Sequence, residues 1–266
     1  MQITLFQQDI AWLSPSANYS KIEQKLSTLP DTDLLILPEM CTTGFITLPK
    51  PGTLEPASSV EQHLLDLSAR YQTAICGSFA VSLPADSASG PSSRLLHRNR
   101  CYFVTPEGDI YHYDKHHLFN IGHENLGYVE GHERVIVEWR GIRFLLLVCY
   151  DLRFPVWARW TDAAPYDVLI CVANWPQQRR LAWDTLLPAR AIENQVYVIG
   201  VNRVGHDMLC PYDGGARAIH PYGHIVAQCP DGEESLCTFT PDMQKLGDFR
   251  QKFPSQLDSD RFAILD

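Results

Sequence analysis

The sequence predicts an α/β protein, a four-layer α-β-β-α sandwich of two mixed sheets, formed by a single domain over residues 1–266. Short, almost wholly apolar runs such as residues 33–37 (DLLIL) and 144–148 (FLLLV) are typical of strands buried on both faces. Strands alternate with amphipathic helical segments, and hairpin signals add antiparallel pairs. This number of strands favours two packed sheets with helices outside them over one open sheet.

The N-terminal half consists of strand–helix units followed by a hairpin. Ser14 is a start signal for a helix that begins at Pro15, and Thr105–Gly108 (TPEG) is a turn signal. Residues 82–93, rich in Ser, Pro and Gly, are predicted to be a disordered insertion. The predicted strands are 2–8, 33–37, 74–81, 95–104 and 109–113, and the predicted helices are 15–29 and 58–71.

The C-terminal half follows a long irregular segment at residues 116–132, and loops of this length are usually functional or mobile. Pro155 suits the first turn of a helix, so Cys149 is expected on a tight strand-to-helix turn. Arg179 and Arg180 are interpreted as the solvated face of a helix start. The predicted strands are 134–139, 142–148, 167–172, 196–201, 217–220, 225–228 and 235–240, and the predicted helices are 155–162, 178–193 and 241–249.

The composition excludes several classes of protein. The formal net charge is −9 and no run of Lys or Arg occurs, which argues against nucleic acid as the main partner. No apolar run approaches the length of a membrane span, and the N-terminus does not look like a secretory signal. The eight cysteines include no C-x-x-C pair, and a chain of this length does not need disulfide staples. We therefore expect free thiols in a cytoplasmic protein.

No metal or cofactor site is expected. His116 and His117 would point to opposite sides of a strand, and His123–Glu124 lacks the second histidine of H-E-x-x-H. The glycine-rich motifs for dinucleotides and nucleotide phosphates are absent from the sequence, as is the G-x-S-x-G motif of α/β-hydrolases.

The ends of predicted strands carry reactive side chains. Glu39, Cys149 and Asn174–Trp175 each follow a buried strand, and Lys115 follows the strand at 109–113. Sites in α/β sheets form where strands end, so a carboxylate, an ammonium group and a thiol could converge on one pocket. Each signal is weak by itself: the cysteine could be a core residue, and the lysine and glutamate could be solvated.

Five segments together resemble the nitrilase (carbon–nitrogen hydrolase) superfamily, in the order of its motifs. They are residues 37–40 (LPEM), 43–45 (TGF), 113–119 (YDKHHLF), 149–155 (CYDLRFP) and 189–194 (ARAIEN). The resemblance extends from the first strand to about residue 240 and is closest to the Nit-like omega-amidases. It implies the nitrilase-like sandwich and a homodimer.

The resemblance also implies a role for each reactive residue. Cys149 matches the nucleophile, Glu39 the general base and later acid, and Lys115 the electrostatic stabiliser. The family has a second glutamate in the loop after the lysine. Glu130 matches it better than Glu124, whose spacing from Lys115 is shorter, although both remain candidates.

These roles agree with the chemistry of thiols. A thiol of ordinary pKa is only a few per cent thiolate at neutral pH, so Cys149 is expected to be a neutral thiol that Glu39 activates when substrate binds. Lys115 and the backbone N–H of Tyr150 would stabilise the oxyanion of the tetrahedral intermediate.

Residues that bind the substrate are predicted around Cys149. Arg153 is the natural partner of a substrate carboxylate, with a structural ion pair as the alternative. Phe119, Tyr150, Asn174 and Trp175 are expected to line the pocket.

The expected reaction is hydrolysis of the omega-amide of a small 2-oxo dicarboxylic acid monoamide, 2-oxoglutaramate or 2-oxosuccinamate, to the 2-oxo acid and ammonia. The alternatives are another amidase or a nitrilase of the same superfamily, a non-catalytic binding module on this fold, and a thiol redox protein. No resolving cysteine stands beside Cys149 in the sequence.

Overall fold

The computed structural model describes residues 1–29, 31–84, 96–260 and 262–264. The strands in these ranges are β1 (Ile3–Gln7), β2 (Leu34–Ile36), β3 (Glu55–Pro56), β4 (Ala74–Leu83), β5 (Leu96–Val104), β6 (Ile110–Asp114), β7 (Ile136–Trp139), β8 (Ile142–Val148), β9 (Val168–Ala173), β10 (Tyr197–Asn202), β11 (Val204–His206), β12 (Pro211–Asp213), β13 (Arg217–Ile219), β14 (Ile225–Gln228) and β15 (Ser235–Phe239). The helices are α1 (Pro15–Thr28), α2 (Ala57–Tyr71), α3 (Glu124–Gly127), α4 (Arg180–Asn194) and α5 (Met243–Lys252), with 3₁₀ turns at Asn120–Gly122, Cys149–Arg153, Gln177–Arg179 and Ser255–Asp258.

The strands form two mixed sheets and one small ribbon. In the first sheet the order is β15-β1-β2-β4-β5-β6, and β3 pairs with β4 off this path. Strands β1, β2 and β4 are parallel, while β15, β5 and β6 pair antiparallel with their neighbours. The second sheet has the order β14-β13-β10-β9-β8-β7, with a parallel centre of β10, β9 and β8. Strands β11 and β12 pair with each other.

Alternation along the strands divides the apolar residues between two cores. In β2, Leu34 and Ile36 belong to the core that includes Phe144 of the second sheet, while Leu35 packs in the core that contains residues of α1 and α2. Trp183 of α4 belongs to the same core as the second sheet. The four-layer α-β-β-α sandwich is therefore confirmed.

The predicted helix at 155–162 is wrong. The chain instead turns through the 3₁₀ segment Cys149–Arg153, where the carboxylate of Asp151 accepts a hydrogen bond from the backbone N–H of Val148, three residues earlier, at 2.9 Å. Phe154 is then extended, as expected before a proline, and turns continue from Pro155.

Other sequence predictions differ only in detail. The predictions of the remaining strands and helices agree with the structure to within a few residues, and β3, β11, β12 and the one-turn helix α3 were not predicted. Most of the predicted insertion at 82–93 lies outside the described residues, and residues 82 and 83 belong to β4. Among the described residues, no helix is long and apolar enough to cross a membrane. The single-domain organisation stays a prediction.

Candidate active site

Four buried polar side chains meet at one end of the sandwich, and we refer to them as the charge cluster. Glu39 follows β2, Asn99 lies within β5, Lys115 follows β6 and Glu124 begins α3. All four are at most 1% exposed. Buried charges are costly unless they are paired and hydrogen-bonded, so their contacts decide whether this arrangement is stable.

Lys115 is the centre of the charge cluster. Its Nζ donates to Glu39 Oε1 at 2.9 Å and to Glu124 Oε2 at 2.9 Å and Oε1 at 3.1 Å. The ammonium group also lies 5.4 Å from the ring centre of Phe45, a cation–π distance. Burial alone would lower the pKa of Lys115, but the charges of Glu124 and Glu39 outweigh it and hold the pKa well above its ordinary value. Lys115 is thus a fixed cation.

Asn99 bridges the same two carboxylates. Its Nδ2 donates to Glu39 Oε1 at 2.8 Å and to Glu124 Oε1 at 2.9 Å. The hydrogen bonds fix the orientation of the side-chain amide against a flip. Its Oδ1 accepts a hydrogen bond from Ser78 Oγ at 2.7 Å, and that hydroxyl itself accepts one from Met40 N. Sequence reasoning missed Asn99. The sequence pattern that could have revealed Asn99 is the alternation along its strand, which puts this polar residue on the same face as the buried residues Cys101 and Phe103.

The carboxylate that contacts Lys115 together with Glu39 belongs to Glu124, and Glu130, which the sequence favoured, lies outside the charge cluster. Glu130 is exposed, because its stretch of backbone runs along the outside of the first sheet: Gly131 N donates to Lys115 O at 3.0 Å and Val129 N donates to His97 O at 3.0 Å. Glu124 instead turns inward from a one-turn helix, where Phe119 N donates to its Oε2 at 2.7 Å. The short sequence separation between Lys115 and Glu124 is sufficient for their contact, because the chain reverses its direction soon after Lys115.

Glu39 also contacts the end of β9. The backbone N–H of Asn174 donates to Glu39 Oε2 at 2.8 Å, and Asn174 Nδ2 donates to Glu39 O at 2.6 Å. The Sγ of Cys149 lies 4.0 Å from the carbonyl oxygen of Asn174. The nucleophile predicted from the sequence, the carboxylate and the strand-end asparagine therefore meet.

The turn that presents Cys149 is held by Asp151. Cys149 has a positive φ of 48°, an uncommon conformation for a residue with a side chain. The buried carboxylate of Asp151 accepts from Tyr113 Oη at 2.8 Å and from His117 N at 2.9 Å, in addition to the N–H of Val148. Asp151 thus joins the turn after β8 to the segment that carries Lys115.

The Cys149 thiol is a poor acid in this environment. Burial raises its pKa well above the ordinary value, the charge of Glu39 raises it further, and Lys115 opposes both. A thiol with so high a pKa is neutral at pH 7, and such a thiol needs a base to take its proton before it can act as a nucleophile.

A pocket of about 180 Å³ opens above Cys149. All five predicted substrate-binding residues line it: Phe119, Tyr150, Arg153, Asn174 and Trp175. Arg179, which we interpreted as part of a solvated helix face, also lines the pocket. We call Phe119, Tyr150, Arg153 and Arg179 the pocket mouth.

Aromatic rings hold the two arginines of the pocket mouth. The Cζ of Arg153 is 5.0 Å from the ring centre of Trp175, and the Cζ of Arg179 is 5.1 Å from that of Phe119. In the part of the chain that the structure describes, neither arginine has an acidic partner, so the alternative of a structural ion pair for Arg153 is not supported. Within the same residues, no group of three or more His, Cys, Asp or Glu is arranged to hold a metal ion.

Comparisons with known proteins agree with this geometry. The carbon–nitrogen hydrolase family model matches residues 2–251. The chain belongs to the carbon–nitrogen hydrolase family. It is 40% identical to the omega-amidase YafV of Escherichia coli K12 over 99% of this chain and 98% of that one. It is 32% identical to the 2-oxoglutaramate amidase of Bacillus subtilis, over 95% of both chains.

A solved structure supports the same assignment. The crystal structure of XC1258 from Xanthomonas campestris, a CN-hydrolase superfamily protein with an arsenic adduct in its active site, matches with a TM-score of 0.90. The two are 37% identical, and the match covers 99% of this chain and 98% of that one. This chain is therefore a hydrolase that acts on carbon–nitrogen bonds, of the nitrilase superfamily, and the resemblance to its Nit-like omega-amidases is confirmed.

Proposed function

We propose that this chain is an omega-amidase, a cysteine amidohydrolase that converts 2-oxoglutaramate or 2-oxosuccinamate to the 2-oxo acid and ammonia. The observation that carries the proposal is the position of Cys149, beside the buried residues Glu39, Lys115 and Glu124 and below a pocket whose mouth presents two arginines that pack on aromatic rings. The similarity to an omega-amidase and to a 2-oxoglutaramate amidase supports an amidase of the nitrilase superfamily in general and this substrate class in particular.

In the acylation step, Glu39 takes the proton of the Cys149 thiol while sulfur attacks the amide carbon. The carbonyl oxygen becomes an oxyanion, and Lys115 Nζ and the Tyr150 backbone N–H stabilise it. Glu39 then gives its proton to the amide nitrogen, the carbon–nitrogen bond breaks, and ammonia leaves a thioester on Cys149.

In the deacylation step, Glu39 takes a proton from water, whose oxygen attacks the thioester carbon. The carbon–sulfur bond breaks, Glu39 gives this proton to the sulfur, and the free acid leaves. Glu124 keeps Lys115 charged and oriented throughout, because both of its carboxylate oxygens accept hydrogen bonds from the ammonium group and its negative charge raises the pKa of Lys115.

The substrate's carboxylate lies at the end remote from the amide. Arg153 offers two parallel N–H groups in a planar fork that matches a carboxylate. Phe119, Tyr150 and Trp175 enclose the short carbon chain, and Asn174 holds Glu39 in place. With this activity we propose a cytoplasmic homodimer without a cofactor, in keeping with the family.

Ammonia release from a substrate panel tests the proposal. We expect 2-oxoglutaramate and 2-oxosuccinamate to be hydrolysed far faster than glutamine, and the nitrile of the same skeleton to release none. Glutamine as the better substrate would overturn the omega-amidase assignment, and turnover of the nitrile would indicate a nitrilase.

Variants of two cysteines separate catalysis from binding alone. Cys149→Ala should abolish turnover, whereas Cys237→Ser, at a partly buried cysteine of β15, should retain it. Turnover that survives in Cys149→Ala would contradict the nucleophile. Loss of activity on addition of dithiothreitol would instead favour a thiol redox protein.

A further inference from the structure

Arg179 and Arg180 are adjacent in sequence but have opposite surroundings. Arg180 is neutralised by three carboxylates, with distances of 2.8 Å to Asp184, 3.2 Å to Asp213 and 2.8 Å to Asp231. Arg179 has no acidic partner among the described residues and lines the pocket above Cys149. The chain therefore uses one arginine to fix the start of α4 and leaves the other charge facing the cavity.

The backbone holds Arg179 in this direction. It ends the 3₁₀ turn Gln177–Arg179, its N–H donates to Pro176 O at 2.9 Å, and its carbonyl oxygen accepts from Trp175 Nε1 at 2.8 Å. The guanidinium group then packs over Phe119. Stacking on an aromatic face orients a guanidinium group and leaves its N–H groups free for an anion.

The charge balance of the pocket favours anions. Its charged lining residues are Arg153, Arg179 and Asp207, which gives a formal charge of +1. The carboxylate of Asp207 closes its own loop, since it accepts from Leu209 N at 2.7 Å and from Tyr212 Oη at 2.6 Å. The charged hydrogen-bond donors at the pocket mouth are therefore the guanidinium groups of the two arginines.

We propose that Arg179 is a specificity-determining residue that binds, together with Arg153, the carboxylate end of the substrate. It also disfavours substrates with an ammonium group next to that carboxylate, because the ammonium group would approach a second, uncompensated guanidinium charge. A 2-oxo group carries no charge and can accept a hydrogen bond there. This inference rests on the proposed function and accounts for a preference for 2-oxo over 2-amino acids.

Two amides that differ only at the far end provide the kinetic test. Succinamate carries a carboxylate where butyramide has a methyl group. Arg179→Gln should lower kcat/KM for succinamate roughly 10- to 100-fold, mainly through KM, and should change that for butyramide less than about threefold. Arg179→Lys should fall between, because it keeps the charge but not the fork. The matched control is Arg70→Gln, which removes the same charge from an exposed site on α2 and should leave both substrates unchanged.

Selectivity provides the second measurement. The ratio of kcat/KM for 2-oxoglutaramate to that for glutamine should fall at least about tenfold in Arg179→Gln. Equal losses on succinamate and butyramide would assign Arg179 a merely structural role, and unchanged kinetics on both would show that it does not reach the substrate. Either result overturns the inference.

A binding experiment separates this inference from the proposed function. Succinamate binding to the Cys149→Ala protein, measured by calorimetry, does not depend on turnover. Arg179→Gln in that background should weaken binding roughly 10- to 100-fold. If the wild-type enzyme hydrolyses no omega-amide but this loss occurs, the proposed function fails and the inference on Arg179 stands; if binding is unchanged, the inference fails.

Discussion

The charge cluster and the pocket mouth differ in how their charged side chains are stabilised. In the cluster, Lys115 is completely buried and contacts two carboxylates at 2.9 Å. At the mouth, Arg153 and Arg179 are partly exposed and pack on aromatic rings. The difference teaches that the charges of the cluster are compensated within the protein, whereas the proposed function assigns the compensation of the charges at the mouth to the substrate.

This contrast has a kinetic consequence. Groups fixed in a buried network stabilise a charge that develops only in the transition state, so their loss should lower kcat. Unpaired groups at a pocket opening contact the substrate in the ground state as well, so their loss should raise KM. Four variants or pairs of variants test this division.

The largest effect is expected at Glu124. Glu124→Gln removes one of the two charges that hold Lys115, in a site from which water is excluded, and should lower kcat roughly 100- to 1,000-fold. Glu130→Gln is the matched control, because Glu130 is exposed. Steady-state kinetics should give this variant the kcat of the wild type. Equal kinetics in the two variants would contradict the structure's choice between the two glutamates.

The second-largest effect is expected for substitutions of Asn99. Asn99→Ala removes two hydrogen bonds to carboxylates and should lower kcat roughly 10- to 100-fold with little change in KM. Asn99→Asp places a third carboxyl group beside Glu39 and Glu124, and like charges raise one another's pKa, so the acid limb of the pH–kcat profile should move to higher pH. A profile of Asn99→Asp identical to that of the wild type would refute the bridging role.

A variant of Arg153 tests the expected role of the pocket mouth in ground-state binding. Arg153→Gln should raise KM for 2-oxoglutaramate about tenfold and change kcat less than threefold, because a carboxylate contact is lost in both ground and transition states. If kcat falls as strongly as in Glu124→Gln, the division between cluster and mouth is wrong.

The smallest effect concerns the reactivity of Cys149. Because burial and Glu39 raise the pKa of the thiol, its alkylation by iodoacetamide should increase with pH through pH 9. At pH 8, Glu39→Gln should accelerate alkylation about threefold or more, and Lys115→Met should slow it by a similar factor, since their charges act in opposite directions. A rate that is already constant below pH 7 would contradict the neutral thiol.

Much of the site could be predicted from the sequence. The apolar runs before Glu39 and Cys149 indicated buried strands, and the ends of such strands meet at one side of a sheet. The motifs that resemble carbon–nitrogen hydrolases then selected Lys115 as well. The pocket residues next to these motifs lie where the sequence predicted them.

Only the tertiary structure shows that Glu124 rather than Glu130 contacts Lys115, that Asn99 bridges the two carboxylates, and that Arg179 lines the pocket. Hydrophobic periodicity specifies which face of an element is buried, but it carries no information on which elements that face will meet. The doubling back of the chain after Lys115 depends on hydrogen bonds such as that from Phe119 N to Glu124, and these form only in the folded chain.

The sequence by itself thus determined the layers of the sandwich and the chemical types at the strand ends, because both follow from local patterns of apolar residues and motifs. Only the folded chain decided which charges are paired. That outcome depends on distances between residues as far apart as Glu39 and Asn174, and Coulomb energies and hydrogen bonds vary steeply with those distances.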